Sequence, residues 1–409
     1  MTERNKIFNG MGIAASIYII LFIVTMYSGA TVISNYVMPL VCCLVILLFL
    51  MAKVKGVQRI AFVNRENQIE KIALILIILF LLYQLSFSYD KDTTFVFFER
   101  FLVYFFLFVF VPKLDICVRI IKGIRWYSFP VAASIILTTL INGDRSGGLV
   151  GTYQFAGMMM SISFGVILID YYYERSMLNL IGLGITFLAL LMSGKRTFSL
   201  LAVIAYFLIF SFNNDTKKRK KFIRLTFILI LLLIVAYFTI PAVRMLAERI
   251  LLYSGDKTYN GRSYYWTAAL SIFSNNKIHG IGMGCFSQYF DVYFHRLGNL
   301  EAYDAHNIYI QMLAELGIVG EALFVIFFVI CLISTIKLFK KLRKIREKEY
   351  GYVLCYSVFL QIWFIVYGAT GNPLYGAGQS FFYIASIAMM MSVKHELKIK
   401  EYNCEFMSV

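Results

Sequence analysis

The sequence predicts an all-α, polytopic integral membrane protein with about twelve transmembrane helices. Hydrophobic residues make up 60% of the 409-residue chain and charged residues only 15%, where soluble domains carry about 25% charged residues. The mean hydropathy is +0.73. The apolar residues also come in long runs, and a run of about 18 crosses a bilayer as a helix. No small-residue cleavage site follows the first apolar run, and a second run comes at once, so the first run is expected to be a retained span.

The expected spans lie near 11–29, 32–52, 72–88, 97–112, 126–141, 152–173, 178–193, 198–213, 222–241, 316–336, 350–369 and 377–393. Several hold only about 16 residues and need tilt or neighbouring protein to cross. Aromatic residues at their ends, such as Tyr171, Tyr172 and Tyr173, suit the headgroup level, where a ring is half wet.

Charge sets the orientation. With the N-terminus inside, 28 of the 39 Lys and Arg fall on the inner side and 11 on the outer side, while the acidic residues divide 12 to 11. The whole excess of +16 then lies on one face, which is the positive-inside pattern. Both termini are expected in the cytoplasm. The basic runs Lys217 to Lys221 and Lys337 to Lys348 read as topology signals and contacts for anionic lipid. Nucleic acid is not an expected partner.

Of the seven cysteines, Cys42, Cys43, Cys331 and Cys355 fall in expected spans, Cys117 and Cys404 inside, and Cys285 alone outside. No intrachain disulfide is expected on the oxidising side. The four His are far apart in sequence and give no metal-ligand spacing.

Most connections are short, but one is long. The expected organisation is a membrane domain over 1–241 with about nine spans, an extracytoplasmic loop over 242–315, and a second membrane portion over 316–409 with about three spans and a short cytoplasmic tail. A long insert among short loops is where function concentrates. This one holds three of the four His, Arg262, and the glycines of His279-Gly280-Ile281-Gly282-Met283-Gly284.

Four pieces could carry chemistry. In Asp304-Ala305-His306-Asn307-Ile308-Tyr309, Asp304 is a good helix cap, so a helix is expected to follow with His306 in its first turn. Unpaired N–H groups there favour an anion and disfavour a charged imidazole, leaving His306 able to accept a proton. A satisfied interfacial His is the alternative. In Ser193-Gly194-Lys195-Arg196-Thr197, a turn this short holds Lys195 and Arg196 at the outer surface, as a snorkelling pair or as a phosphate clamp. The Gly-rich loop Asn142 to Gln154 carries Arg145 and opens the sixth span, either as a plain turn or as backbone that admits a ligand. Asn260-Gly261-Arg262-Ser263-Tyr264-Tyr265-Trp266 starts an outer amphipathic helix, with Trp266 at the interface and Arg262 either a second phosphate or sugar contact or a surface charge. No GxGxxG, Walker loop or HExxH is present, which argues against an ATPase.

These pieces, in this order, resemble the O-antigen polymerase and O-antigen ligase superfamily. HNIYIQMLAELGIVG after the long loop is the most specific match; NGRSYYW with GIGMGCF, SGKRT, and DRSGGLVGTYQFAG agree with it. The resemblance covers roughly 142–325. Gln154 stands where relatives often have Asn, and Lys195 adds a second cation beside the family's usual Arg. The resemblance implies a metal-independent, GT-C-like membrane glycosyltransferase without a cofactor. It would work on the outer face of a bacterial cytoplasmic membrane, with an undecaprenyl-pyrophosphate-linked oligosaccharide as donor. Arg196 and Arg262 would bind the pyrophosphate and His306 would serve the acceptor; Lys195, Arg145, Asn307 and Glu315 are the candidate substrate-binding groups. Polymerisation of lipid-linked repeats for capsule, O-antigen or exopolysaccharide is the favoured reading and ligation to a different acceptor the second. A chain-length regulator and a flippase of the same pathway are candidate partners. A polysaccharide flippase is the alternative of another class. It would favour ionisable groups at mid-membrane depth, from which the spans here are nearly free.

Overall fold

The computed structural model describes residues 68–110, 114–211, 257–294, 304–345 and 348–407, with single residues between 220 and 244. The expected spans 11–29 and 32–52, and most of 222–241, lie outside the described residues. The helices are α1 (Gln68–Gln84), α2 (Lys91–Phe110), α3 (Leu114–Asn142), α4 (Tyr153–Tyr173), α5 (Met177–Met192), α6 (Arg196–Ser211), α7 (Lys257–Asn275), α8 (Phe286–Phe294), α9 (Ile308–Ile345), α10 (Lys348–Gly368) and α11 (Ala377–Met407). A 3-10 turn, Gly148–Val150, precedes α4. Among the described residues no strand is present. The helical class read from the sequence holds.

Four helical segments are long and apolar enough to cross a membrane: Ile121–Asn142, Tyr153–Tyr173, Ile308–Leu342 and Tyr350–Gly368. Met177–Met192 and Arg196–Leu208 are apolar but shorter. The protein is therefore a helical membrane protein with four such spans among its described residues. Large apolar side chains on these helices face outward, among them Leu140, Ile141, Ile181, Leu200, Phe207 and Ile326. In water such surfaces would be unstable; in lipid they are the expected outer face.

The chain divides into two units. Unit 2 covers 121–257, and α4 is its axis. Every residue from Ala156 to Asp170 is buried, enclosed by α5 and α6. Small residues make this close packing possible: a Cβ on Gly157 would overlap Ser193 and Phe198, so the turn before α6 seats directly on α4. The Thr152 side chain caps α4 by accepting from the Phe155 N–H, and Ser176 caps α5 through the Asn179 N–H. At the far end of α4, Asp170 pairs with Arg125 at 3.6 Å.

Unit 1 covers 1–120 and 258–409. Here α9 packs on α1, α10 and α11, and α10 packs along α11. Phe324, Phe327, Phe328, Phe364 and Tyr383 form the aromatic centre of that bundle. Asp90 caps α2, accepting from the N–H groups of Asp92 and Thr93. The Thr93 hydroxyl also donates to it at 2.6 Å and holds its carboxyl below the usual carboxylate value. α1 ends at Gln84, earlier than the span expected to 88, because the Gln84 side chain is drawn into a loop far along the chain.

Candidate active site

The long insert has a small core of its own. Tyr265, Ala268, Ala269 and Ile272 of α7 pack with Ile281, Cys285, Phe286 and Phe290 around α8, and with Ala305 and Ala314 beside α9. Burial pushes the Cys285 thiol above its ordinary pKa.

Between α7 and α8 the chain forms a strap, residues 276–285, laid against a break in α9. Gly317 has φ 64 and ψ −173, which interrupts the helix. A break strands N–H and C=O groups that need partners. The strap supplies them in both directions. Ile318 N–H donates to Lys277 O at 2.8 Å and Val319 N–H to Ile278 O at 3.4 Å; Ile281 N–H donates to Ala314 O at 3.2 Å and Gly282 N–H to Glu315 O at 2.9 Å. Such contact leaves no room for side chains. Gly280 has φ 67, and a Cβ there would overlap the Glu315 carbonyl; one on Gly317 would overlap Ile278. The glycines of the strap thus admit the backbone of α9.

Two buried side chains lock the strap. Gln84 donates to His279 O at 2.7 Å and Glu315 O at 2.6 Å, and accepts from the Met283 N–H at 3.2 Å. The Glu315 carboxylate accepts from the N–H groups of Gly284 at 2.7 Å and Phe286 at 2.9 Å, and from the Gln311 amide at 3.0 Å. Glu315 is buried and holds the strap with its oxygens.

The start of α9 corrects one expectation. The cap is Asn307, not Asp304: its Oδ1 accepts from the N–H groups of Tyr309 at 3.0 Å and Ile310 at 3.3 Å. His306 accordingly precedes the cap and does not sit in the first turn. The reason lies in Ala305. Its N–H donates to Gln311 Oε1 at 3.0 Å, and its C=O accepts from Trp266 Nε1 at 2.8 Å. With both groups taken from outside, residue 305 is not available to a helix. His306 has φ 52, the only non-glycine among the described residues in the left-handed region. That conformation costs about 1–3 kcal/mol and persists where surroundings over-determine it. Trp266 is partly buried and donates its indole N–H to Ala305 O.

Arg262 lies in the second turn of α7, partly buried. Arg262 and Asp304 are both within electrostatic reach of the Tyr367 hydroxyl at the end of α10. Tyr309 donates to Ile365 O at 2.8 Å, and Gly368 gives room to Ile308, so the end of α10 abuts the start of α9. Within unit 1, Arg262, Asp304, His306, Asn307 and Tyr367 therefore belong to one neighbourhood.

Unit 2 gathers the other cations. Arg145 stands over the Tyr153 ring at 5.0 Å and Lys195 over the same ring at 4.9 Å. The Arg145 stem lies against Gly194, which has φ 67 and closes α5. Arg196 is exposed as the first residue of α6. A cation at a helix N-terminus opposes the helix dipole. Among the described residues no three His, Cys, Asp or Glu come together.

The structure thus defines a helical membrane protein with a folded insert and with cations clustered at one turn. Residues 181–325 match the family model described as O-antigen ligase. The match bears out the superfamily resemblance and points to membrane glycan processing of the O-antigen ligase or polymerase type. No curated protein matches the chain. The matched segment contains Lys195, Arg196, Arg262, His306, Asn307 and Glu315; Arg145 lies before it. Sequence reading alone missed Gln84, Tyr153, Gln311, Tyr367 and Asn372. Of these, only Gln311 carried a local signal, one helical turn before Glu315.

Proposed function

We propose that the chain is a polysaccharide polymerase of the bacterial cytoplasmic membrane. It transfers glycan from an undecaprenyl-pyrophosphate-linked oligosaccharide to another lipid-linked repeat on the outer face. The acceptor hydroxyl attacks the anomeric carbon of the donor, the bond from that carbon to the phosphate oxygen breaks, and the lipid pyrophosphate leaves. His306 takes the hydroxyl proton. The charge that grows on the leaving group is met by cationic side chains, for which the candidates are Arg262 in the insert and, in the other unit, Arg196 with Lys195 and Arg145; a cation in that role stabilises the transition state more than the ground state. Cationic side chains thereby serve where other transferases use a metal. Asn307 sets the helix end beside His306, and Glu315 supports the strap.

The observation that carries this reading is the left-handed conformation of His306, which lies between the anchored Ala305 and the Asn307 cap within a segment that matches the O-antigen ligase family. Strain of that kind marks functional residues. One specific observation favours a second reading, ligation to a non-identical acceptor: the matched family carries the ligase description. Purified protein incubated with a single lipid-linked repeat separates the two. A ladder of lengths supports the polymerase; product only after addition of a different acceptor supports the ligase; no turnover with either rejects both.

A further inference from the structure

Gln311 is buried one turn into α9, and its amide joins three separate pieces of chain. Its Oε1 accepts from the Ala305 N–H at 3.0 Å and from Asn372 Nδ2 at 2.6 Å, in the loop between α10 and α11. Its Nε2 donates to Glu315 at 3.0 Å, with a longer contact of 3.4 Å to Asp304. An amide that satisfies both ends in a buried place has one orientation, and that orientation fixes Ala305 N–H. Trp266 fixes the opposite side of the same residue through Ala305 O at 2.8 Å. The bond to Ala305 O fixes the peptide plane that leads into His306, and the Asn307 cap fixes the chain on its far side; between these two anchors His306 takes φ 52.

We propose that Gln311 and Trp266 are positioning residues for His306, acting through the backbone of Ala305. This rests on the proposed role of His306 in transfer. Neither side chain touches substrate. Their work is to hold the left-handed conformation that His306 would leave if the grip were lost, since φ near −60 relieves it. The Asn372 amide makes the α10–α11 loop part of the same grip, because it shares the oxygen that receives Ala305 N–H.

The test uses the full chain in nanodiscs with a lipid-linked repeat as substrate. Trp266→Phe keeps an aromatic ring and removes the N–H; Gln311→Met keeps length and removes all the hydrogen bonds of the amide. The expected result is a fall in kcat of about tenfold to a hundredfold, the scale of a small displacement of a reacting group, with donor KM unchanged. His306→Asn, which keeps a residue tolerant of positive φ, is made alone and combined with each variant. Expected non-additivity means that Trp266→Phe adds no further loss once His306 is gone. Losses that multiply, or that track a fall in thermal stability at constant specific activity of the folded fraction, overturn the positioning role, as does wild-type kcat in Trp266→Phe. Wild-type turnover in His306→Asn alone overturns the transfer role of His306 and removes the object of the positioning as well. The first set of failures leaves the proposed function standing and the second does not.

Discussion

Arg145 and Lys195, fifty residues apart, stand over one ring: their charged groups lie 5.0 and 4.9 Å from the centre of Tyr153. Two like charges on one aromatic side chain repel each other, and the face of the ring offsets part of that cost, by about 0.5–1 kcal/mol per contact.

The first prediction concerns this turn. Tyr153→Phe keeps the ring and is expected to leave donor binding close to wild type. Tyr153→Leu removes it and is expected to raise donor KM by roughly two- to fivefold, from the lost contacts. Arg196→Lys keeps the charge but loses the planar fork, so turnover is expected to fall by about 10²–10³, as for loss of a donor at a forming anion. Steady-state kinetics on a lipid-linked donor measure all three. Near-normal activity in Arg196→Ala at normal expression contradicts the assignment.

A second prediction separates glycines that look alike in the sequence. Gly280→Ala places a Cβ against the Glu315 backbone at φ 67 and is expected to destabilise the fold by about 2–4 kcal/mol. Gly184→Ala, inside α5 with nothing within 4 Å of the new Cβ, is expected to be neutral or stabilising by about 0.4–1 kcal/mol. Thermal unfolding in a fixed detergent compares them. Equal stability of the two variants contradicts the packing of strap on α9.

How much of this was written in the sequence depends on the reach of each interaction. The nine expected spans that fall on described residues each meet a helix, because apolar runs are local signals. The turn bearing Lys195 and Arg196, the helix through Arg262 and the helix after His306 were legible for the same reason. The cap of α9 was not. Asp304 and Asn307 are both good caps in sequence, and the choice is made by Trp266, 39 residues away, through Ala305. The strap was equally hidden: Gln84 binds Glu315 O across 231 residues, and no periodicity records such a pairing. The strap glycines were visible in the sequence, but not that the backbone of α9 fills the space beside them.

The third prediction tests topology. Cys285, Cys331 and Cys355 are buried thiols outside any disulfide, so an impermeant maleimide is expected to leave them unmodified in the folded protein. The raised pKa of the Cys285 thiol reduces its reactivity further. Ser274→Cys, on the exposed face of α7, is expected to be labelled in intact cells, and Arg175→Cys, in the exposed turn between α4 and α5, only after permeabilisation. Labelling of the second but not the first in intact cells contradicts an outward insert.

The most direct measurement is the product ladder formed by His306 variants from one purified lipid-linked repeat. His306→Asn preserves tolerance of the left-handed backbone, and His306→Gln preserves size, but neither accepts a proton near neutral pH. Both are expected to bind donor as the wild type does and to lose turnover by about 10²–10⁴, the usual contribution of a general base. A wild-type ladder from His306→Asn, at equal expression and donor binding, contradicts a catalytic His306.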